Sequence, residues 1–180
     1  NRIACICVRG GSKGVKGKNS MILAGIPLIA HTLKQIFESN LFNFVAVSSD
    51  DSNLLKIATD YGCMDIVRRP IEMATDTSPK LPVVKHCVQT IEDRHNLKMD
   101  LCVDFDATSP LRNISDIKAV VDLCEEDGVS NVITGMPSRR SPYFNMVEDN
   151  NGVNLVKKID NKIVRRQDAP KTLSLIHISE

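Results

Sequence analysis

Compact apolar runs alternate along the chain with longer segments in which apolar and polar residues are mixed. An unbroken apolar run of four to eight residues is typical of a strand that is buried on both faces of a parallel sheet. Each run here is bounded by polar residues or by glycine. The run at residues 3–8 is unbroken. Mostly apolar runs with polar residues among them predict further strands at residues 44–49, 64–67, 101–105 and 130–136.

The segments between these runs carry apolar residues at intervals of three and four, which predicts amphipathic helices. Pro27 is placed to open the first helix, Asp51 or Ser52 to cap the second, and Ser115 to cap the last. The predicted helices cover residues 28–37, 52–61, 82–95 and 115–127.

Strands that alternate with helices pair in parallel through right-handed crossovers. The pattern therefore predicts an α/β fold with an open, doubly wound, mostly parallel sheet. It changes after Pro142, where YFNMVED, the turn NNG and VNLVKKID predict a small β hairpin attached to the sheet. No internal repeat or long linker divides the chain, and we assign residues 1–172 to one domain.

The last eight residues, LSLIHISE, have no evident relation to this pattern. They match the peptide that a common sequencing adapter encodes when it is translated in frame. We therefore expect the native sequence to be cut off near Thr172 and residues 173–180 to be a non-native tail. The alternative is a genuine terminal strand.

Composition narrows the functional classes. Lys and Arg number 23 against 22 Asp and Glu, so no overall basic field exists to attract nucleic acid. No apolar run approaches the roughly 20 residues of a membrane span, and residues 1–10 lack the features of a secretory signal. We expect a cytoplasmic protein that binds neither membranes nor nucleic acid.

The six cysteines of the chain include no C-x-x-C pair and are expected to be reduced thiols in the core.

Positive charge is concentrated in one loop. VRGGSKGVKGKNS, residues 8–20, carries four glycines, three lysines and one arginine directly after the first predicted strand. Loops at the carboxyl ends of parallel strands line the ligand crevice of open α/β folds. Glycine allows the backbone N–H groups to approach phosphate oxygens closely, and lysine supplies charge. The loop is therefore predicted to hold a chain of phosphates.

Two familiar phosphate-binding patterns do not fit this loop. A P-loop requires Ser or Thr after Gly-Lys, but Asn19 follows Gly17 and Lys18. The dinucleotide fingerprint G-x-G-x-x-G requires a glycine spacing that the loop lacks. A surface loop with incidental charge is the structural alternative.

Four motifs resemble those of the acylneuraminate cytidylyltransferases, which make CMP-activated sialic acids and related nine-carbon sugars. RGGSKGVKGKN is similar to the family signature R-x-G-S-K-G-x-x-x-K-N, and RRPIEMATDTS, DFDATSPLR and RRQDAPK follow in the family's order. The resemblance extends from the first strand to Lys171. The resemblance implies the open α/β fold predicted above, as it occurs in nucleotidyltransferases.

The resemblance implies that the first two motifs bind CTP. Arg9, Lys13 and Lys18 would act catalytically by neutralising the triphosphate, because charge-assisted bonds to phosphate also stabilise the departing pyrophosphate. The implied nucleotide-binding residues are Arg9, Gly10, Gly11, Ser12, Lys13, Lys18, Asn19 and Arg69.

The other two motifs are implied to bind the sugar. Period-two spacing puts Asp104 and Asp106 on the same face near the end of a strand, where they are also candidates for holding Mg²⁺. Asp106 stands where the family usually has glutamine; since a carboxylate only accepts hydrogen bonds, a different sugar substituent is expected opposite it. The implied sugar-binding residues are Asp106, Thr108, Ser109, Arg112, Arg165, Arg166 and Gln167.

The implied reaction joins CTP to a nonulosonic acid, giving the CMP-sugar and pyrophosphate, with Mg²⁺ as the expected cofactor. The family's metal-binding aspartates lie downstream of the RRQDAP segment, so a truncated chain would bind nucleotide yet be inactive. The resemblance also implies a homodimer for the full-length protein. Two alternatives stay open: a nucleotidyltransferase for the eight-carbon 3-deoxy-octulosonate, and a nucleotide-binding module without turnover.

Overall fold

A computed structural model of the chain describes residues 1–11, 14–75, 77–126, 128–140, 147–149, 153–155 and 171–175. The chain divides into two compact units, Asn1–Ser130 and Asn131–Glu180. The first unit contains the predicted sheet and its helices, and the second contains only short strands among its described residues.

Four parallel strands form the sheet of the first unit. They are β1 (Arg2–Cys7), β4 (Phe44–Ser49), β5 (Asp65–Arg68) and β6 (Leu101–Asp104), numbered by their order among all strands of the chain. The order across the sheet is β5-β4-β1-β6, and every pairing is parallel. Cys5 in β1 lies opposite Ala46 on one side and Asp104 on the other. The predicted open, parallel α/β sheet is confirmed.

Helices cover both faces of this sheet, so the fold is doubly wound as predicted. They are α1 (Leu28–Ser39), α2 (Ser52–Asp60), α3 (Lys80–His95) and α4 (Ile114–Cys124). Leu33, Leu54 and Ile117 of α1, α2 and α4 share one apolar core with the sheet. Cys87 and Ile91 of α3 belong to a second core on the other face.

One predicted helix cap is confirmed and another is wrong. Asp51 does cap α2, since its carboxylate accepts the N–H of Asn53 at 2.7 Å. The last helix starts one residue before Ser115 and is capped by Asn113, which forms a capping box with Asp116. Asn113 and Ser115 are both short polar side chains of the kind that cap helices, so the residue type alone does not distinguish them.

A small hairpin that the sequence did not predict follows the glycine and lysine loop. Its strands are β2 (Ile22–Leu23) and β3 (Ile26–Pro27), with Ala24 and Gly25 at φ 46° and 90° between them. Positive φ at both central residues matches the right-handed twist of a two-residue hairpin. Strands of two residues are too short to produce a detectable alternation.

The second unit contains two antiparallel pairs. β8 (Val147–Asp149) pairs with β9 (Val153–Leu155), which confirms the predicted hairpin for its described residues. β7 (Gly135–Pro137) pairs with β10 (Leu173–Leu175). The strand predicted at residues 130–136 is wrong in its bounds, because residues 130–134 are not in a strand and Ile133 is 67% exposed. That residues 173–180 are non-native stays a prediction.

No described helix is both long enough and apolar enough to cross a lipid bilayer.

All six cysteines are free thiols, and half of them fit the predicted core position. Cys5, Cys63 and Cys87 are buried, whereas Cys102 is exposed at one side of the sheet. The Cys63 thiol donates to the Val45 carbonyl at 3.2 Å. Burial raises the pKa of Cys63 to about 12.

The stability of the fold is expected to fall in alkali through Cys63. The unfolded thiol ionises near its ordinary pKa of 9.0, while the folded thiol keeps its proton to about 12. The unfolded chain therefore loses its proton first, and the free energy of unfolding falls across this window by up to about 1.4 kcal/mol per pH unit for this one group. Urea unfolding between about pH 8 and 11 measures the slope.

Cys63→Ala should make that slope shallower, and Cys124→Ala should leave it unchanged because Cys124 is only partly buried, at the end of α4. Hydrogen bonds to other thiols, together with burial, also raise the pKa of Cys5 and of Cys7, so part of the slope should remain. Equal slopes in Cys63→Ala and the parent protein would contradict the assignment.

Candidate active site

The topology places two sequence motifs beside each other. The chain runs from β1 outward to β4 and β5 and then returns to β6 on the opposite side of β1. The carboxyl ends of β1 and β6 therefore flank the point where the strand order reverses, which is where open α/β folds bind ligands. The glycine and lysine loop leaves β1 there, and DFDATSPLR leaves β6. The Phe105 N–H donates to the Cys5 carbonyl at 2.8 Å, so the start of DFDATSPLR is hydrogen-bonded to β1.

Gly10 starts the loop in a position that has no room for a side chain. Its N–H donates to the Asp50 carboxylate at 3.1 Å. A Cβ on Gly10 would lie 2.7 Å from Asp51 Oδ2 and 2.8 Å from Asp51 Cβ. Because Asp51 also caps α2, the loop and the start of that helix are packed directly against each other.

The C-terminal end of the loop is hydrogen-bonded to its N-terminal end. Residues Lys18–Ser20 form a 3-10 turn after Gly17, whose φ is 67°. Asn19 is 7% exposed, and its side-chain amide donates to the Arg9 carbonyl at 3.2 Å. Asn19 therefore closes the loop, and its predicted contact with the nucleotide stays a prediction. Lys18 is half-buried at the start of the turn.

Arg69 is a buried cation on the same edge of the sheet. It follows β5, is 7% exposed, and donates through Nη2 to the Ser48 carbonyl at 3.1 Å and through Nε to Ser48 Oγ at 3.4 Å. Its backbone N–H donates to the Ser49 carbonyl at 2.9 Å. These bonds fix the guanidinium against the carboxyl end of β4, near the exit of β1.

Asp104 and Asp106 converge on a residue that the sequence did not single out. The ammonium of Lys80 lies 2.7 Å from Asp104 Oδ2 and 2.6 Å from Asp106 Oδ1. The prediction that the two aspartates share a face is confirmed. Burial of Lys80 lowers its pKa, but hydrogen bonds and charge from both carboxylates outweigh burial and raise the pKa above its ordinary value.

One sequence signal does point to Lys80. It is the first residue of α3, where the positive end of the helix dipole disfavours a cation. An anionic partner offsets this unfavourable interaction. The signal was missed because the predicted helix began two residues later, at Pro82.

Arg112 holds the turn after β6 in shape. Its guanidinium donates to the Asp106 carbonyl and to Gln35 Oε1, both at 3.2 Å, and lies 5.0 Å from the centre of the Phe105 ring. The Gln35 amide in turn donates to the carbonyls of Pro110 at 2.7 Å and Arg112 at 2.9 Å. Burial lowers the pKa of Arg112, although the charge of Asp106 opposes the shift.

The structure describes only some of the other residues that are predicted to bind the sugar. Thr108 is exposed in the turn, and the Ser109 N–H bonds the Asp106 carbonyl at 3.4 Å. Their contact with a sugar stays a prediction.

Gln35 is a second residue that the sequence analysis did not identify, since nothing in α1 suggested a partner 77 residues away. The predicted site residues that lie outside the described residues are Ser12, Lys13, Arg165, Arg166 and Gln167.

As placed, Asp104 and Asp106 fit an ammonium ion better than Mg²⁺. A magnesium ion bound by both carboxylates would need the space that Lys80 Nζ occupies. Among the described residues, no group of three or more His, Cys, Asp or Glu side chains is arranged to hold a metal ion.

The sheet order and the two loops at its switch point define a Rossmann-like α/β fold of the nucleotidyltransferase type. A solved CMP-2-keto-3-deoxy-manno-octonic acid synthetase in complex with CTP has the same fold, with a TM-score of 0.57 and 17% sequence identity over 70% of this chain. This chain covers 48% of the length of that protein. The cytidylyltransferase family model matches residues 3–173, and the chain belongs to that family.

Curated relatives agree with this assignment. Post-translational flagellin modification protein B of Campylobacter coli is 38% identical over 95% of this chain and 73% of its own length. The CMP-N,N'-diacetyllegionaminic acid synthase of Campylobacter jejuni is 37% identical over 94% of this chain and 72% of its own. An Escherichia coli N-acylneuraminate cytidylyltransferase is 34% identical over 67% of this chain and 27% of its own. The resemblance to the acylneuraminate cytidylyltransferases is confirmed.

Proposed function

We propose that the protein activates a sialic-type nonulosonic acid with CTP, giving the CMP-sugar and pyrophosphate. The observation that carries the proposal is the juxtaposition of the glycine and lysine loop with DFDATSPLR across the switch point of a cytidylyltransferase-family fold. The names of the C. jejuni and E. coli relatives support a nine-carbon acid as the acceptor.

The loop after β1 is proposed to hold the triphosphate. Lys18, Arg9 and Lys13 neutralise the charge that accumulates on pyrophosphate as it leaves, while backbone N–H groups beside Gly10 and Gly11 approach the phosphate oxygens. Other nucleotide contacts are assigned to Ser12, Asn19 and Arg69.

The turn after β6 is proposed to orient the sugar so that its anomeric hydroxyl attacks the α-phosphorus in line. Because the acceptor supplies the nucleophile, no covalent intermediate with the protein is needed. The sugar contacts are assigned to Asp106, Thr108, Ser109 and Arg112, together with Arg165, Arg166 and Gln167.

Mg²⁺ is proposed as the cofactor that accompanies the nucleotide. Asp104 and Asp106 as placed do not fit Mg²⁺, and the roles proposed for this chain's residues do not depend on the metal. We also propose a cytoplasmic homodimer for the full-length protein, supported by the family resemblance alone.

Pyrophosphate release from CTP tests the proposal. The 180-residue chain and the full-length gene product are each incubated with CTP and Mg²⁺ and with one sugar acid: N,N'-diacetyllegionaminic, N-acetylneuraminic or 3-deoxy-octulosonic acid. Release is expected to require a sugar and to be at least about 10-fold faster with a nine-carbon acid than with the eight-carbon one. Replacing CTP with UTP is the nucleotide control.

Two outcomes would replace the proposal. Faster release with 3-deoxy-octulosonate would assign the eight-carbon acid as the substrate. Binding of CTP without release by the full-length protein, whichever sugar is added, would make it a nucleotide-binding module.

A further inference from the structure

Lys80 links two carboxylates at the edge of the proposed sugar subsite. Its ammonium makes ion pairs of 2.7 Å with Asp104 and 2.6 Å with Asp106, and all three side chains are at least two-thirds buried. The three residues come from two elements, since Lys80 begins α3 while the aspartates end and follow β6. The contact therefore connects the helix on one face of the sheet to the turn that carries DFDATSPLR.

Two neighbouring, partly buried carboxylates repel each other unless a cation lies between them. A divalent metal ion and a lysine ammonium both meet that need, but they have different consequences. A metal ion would leave several coordination positions for the substrate, whereas an ammonium is a monovalent cation with three N–H donors, two of which face the carboxylates here. The start of a helix is an unfavourable place for a cation, so the position of Lys80 indicates that the two carboxylates stabilise it there.

We propose that Lys80 is a positioning residue of the sugar subsite: its ammonium takes the place of a metal ion between Asp104 and Asp106 and holds Asp106 as an ionised hydrogen-bond acceptor for the sugar. The role in sugar binding rests on the proposed function, while the exclusion of metal does not. Asp106 stands where the family usually has a neutral glutamine, and Lys80 supplies the charge that this aspartate requires.

Binding of Mn²⁺ in the absence of CTP and sugar tests the exclusion of metal. Titration followed by the electron paramagnetic resonance of free Mn²⁺ should show that Lys80→Met binds one more ion than the parent protein. Lys85→Met is the matched control, because Lys85 is exposed on the same helix, and it should bind no more than the parent. The double variant Lys80→Met/Asp106→Asn should lose the added ion, since only one carboxylate of the pair remains.

Steady-state kinetics test the positioning role. Lys80→Met should raise the KM for the sugar about 10-fold or more and change the KM for CTP less than about twofold. Lys80→Arg, which keeps the charge, should recover part of the sugar affinity. If Lys80→Met does not fold, Lys80→Met/Asp104→Asn removes one carboxylate charge, keeps Asp106 and carries the same measurement of the two KM values.

The proposal is overturned if the parent protein binds as much Mn²⁺ as Lys80→Met, or if Lys80→Met/Asp106→Asn keeps the added ion. It is also overturned if the KM for the sugar is unchanged or if both KM values rise equally. Failure of the proposed function is a separate result: the parent protein would release no pyrophosphate with any sugar acid, and the Mn²⁺ titration would still decide the role of the ammonium.

Discussion

Lys18→Ala is expected to lower the rate of pyrophosphate release from CTP by about 100- to 1,000-fold, as is typical when one preorganised donor to a developing charge is lost. Lys18 is half-buried at the start of a 3-10 turn that Asn19 fixes to the loop's beginning. Because the turn fixes the backbone of Lys18, less conformational freedom is lost when the nucleotide binds. Steady-state assays with the sugar at saturation measure the loss.

Lys16→Ala is the matched control, since Lys16 lies in the same loop but is exposed. It should change the rate less than about threefold, because an exposed charge is screened by solvent and salt. If both variants lose activity equally, the loop acts through its total charge and Lys18 makes no specific contact with the phosphates. If neither loses activity, the proposed phosphate site is wrong.

Gly10→Ala is expected to destabilise the fold by about 1–3 kcal/mol, the usual cost of overpacking, and to lower activity about 100-fold. The added methyl group would lie 2.8 Å from Asp51 Cβ, which is close to the backbone and cannot rotate away. Asp51 is also held by its hydrogen bond to Asn53 at 2.7 Å. The loop must therefore shift away from the start of α2, and its phosphate-binding groups shift with it.

Gly14→Ala provides the control for this change. A Cβ on Gly14 meets no other atom within 4 Å, so stability should stay within about 0.5 kcal/mol of the parent protein. Urea unfolding and pyrophosphate release are measured for both variants. Equal stability of Gly10→Ala and Gly14→Ala would contradict the close packing of Gly10 against Asp51.

The main elements of the first unit were predictable because their signals are local. Burial on both faces makes β1 and β4 mostly apolar, and the one-sided packing of α1 gives its apolar residues a helical spacing. Alternation of these elements then dictated parallel pairing. The strand predicted at residues 130–136 was misplaced because an apolar run does not reveal whether a neighbouring strand is present to pair with it.

The sequence by itself determined the fold class and the family, since the apolar runs and the motif residues are local features of the chain. Phosphate binding by the loop at residues 8–20 stays a prediction. Only the tertiary structure decided which residues support the site. Asn19 donates a hydrogen bond to Arg9, and Gln35 accepts one from Arg112. Lys80 lies between Asp104 and Asp106. These contacts join residues up to 77 positions apart, and their partners are set by strand order and helix packing, which no local pattern encodes.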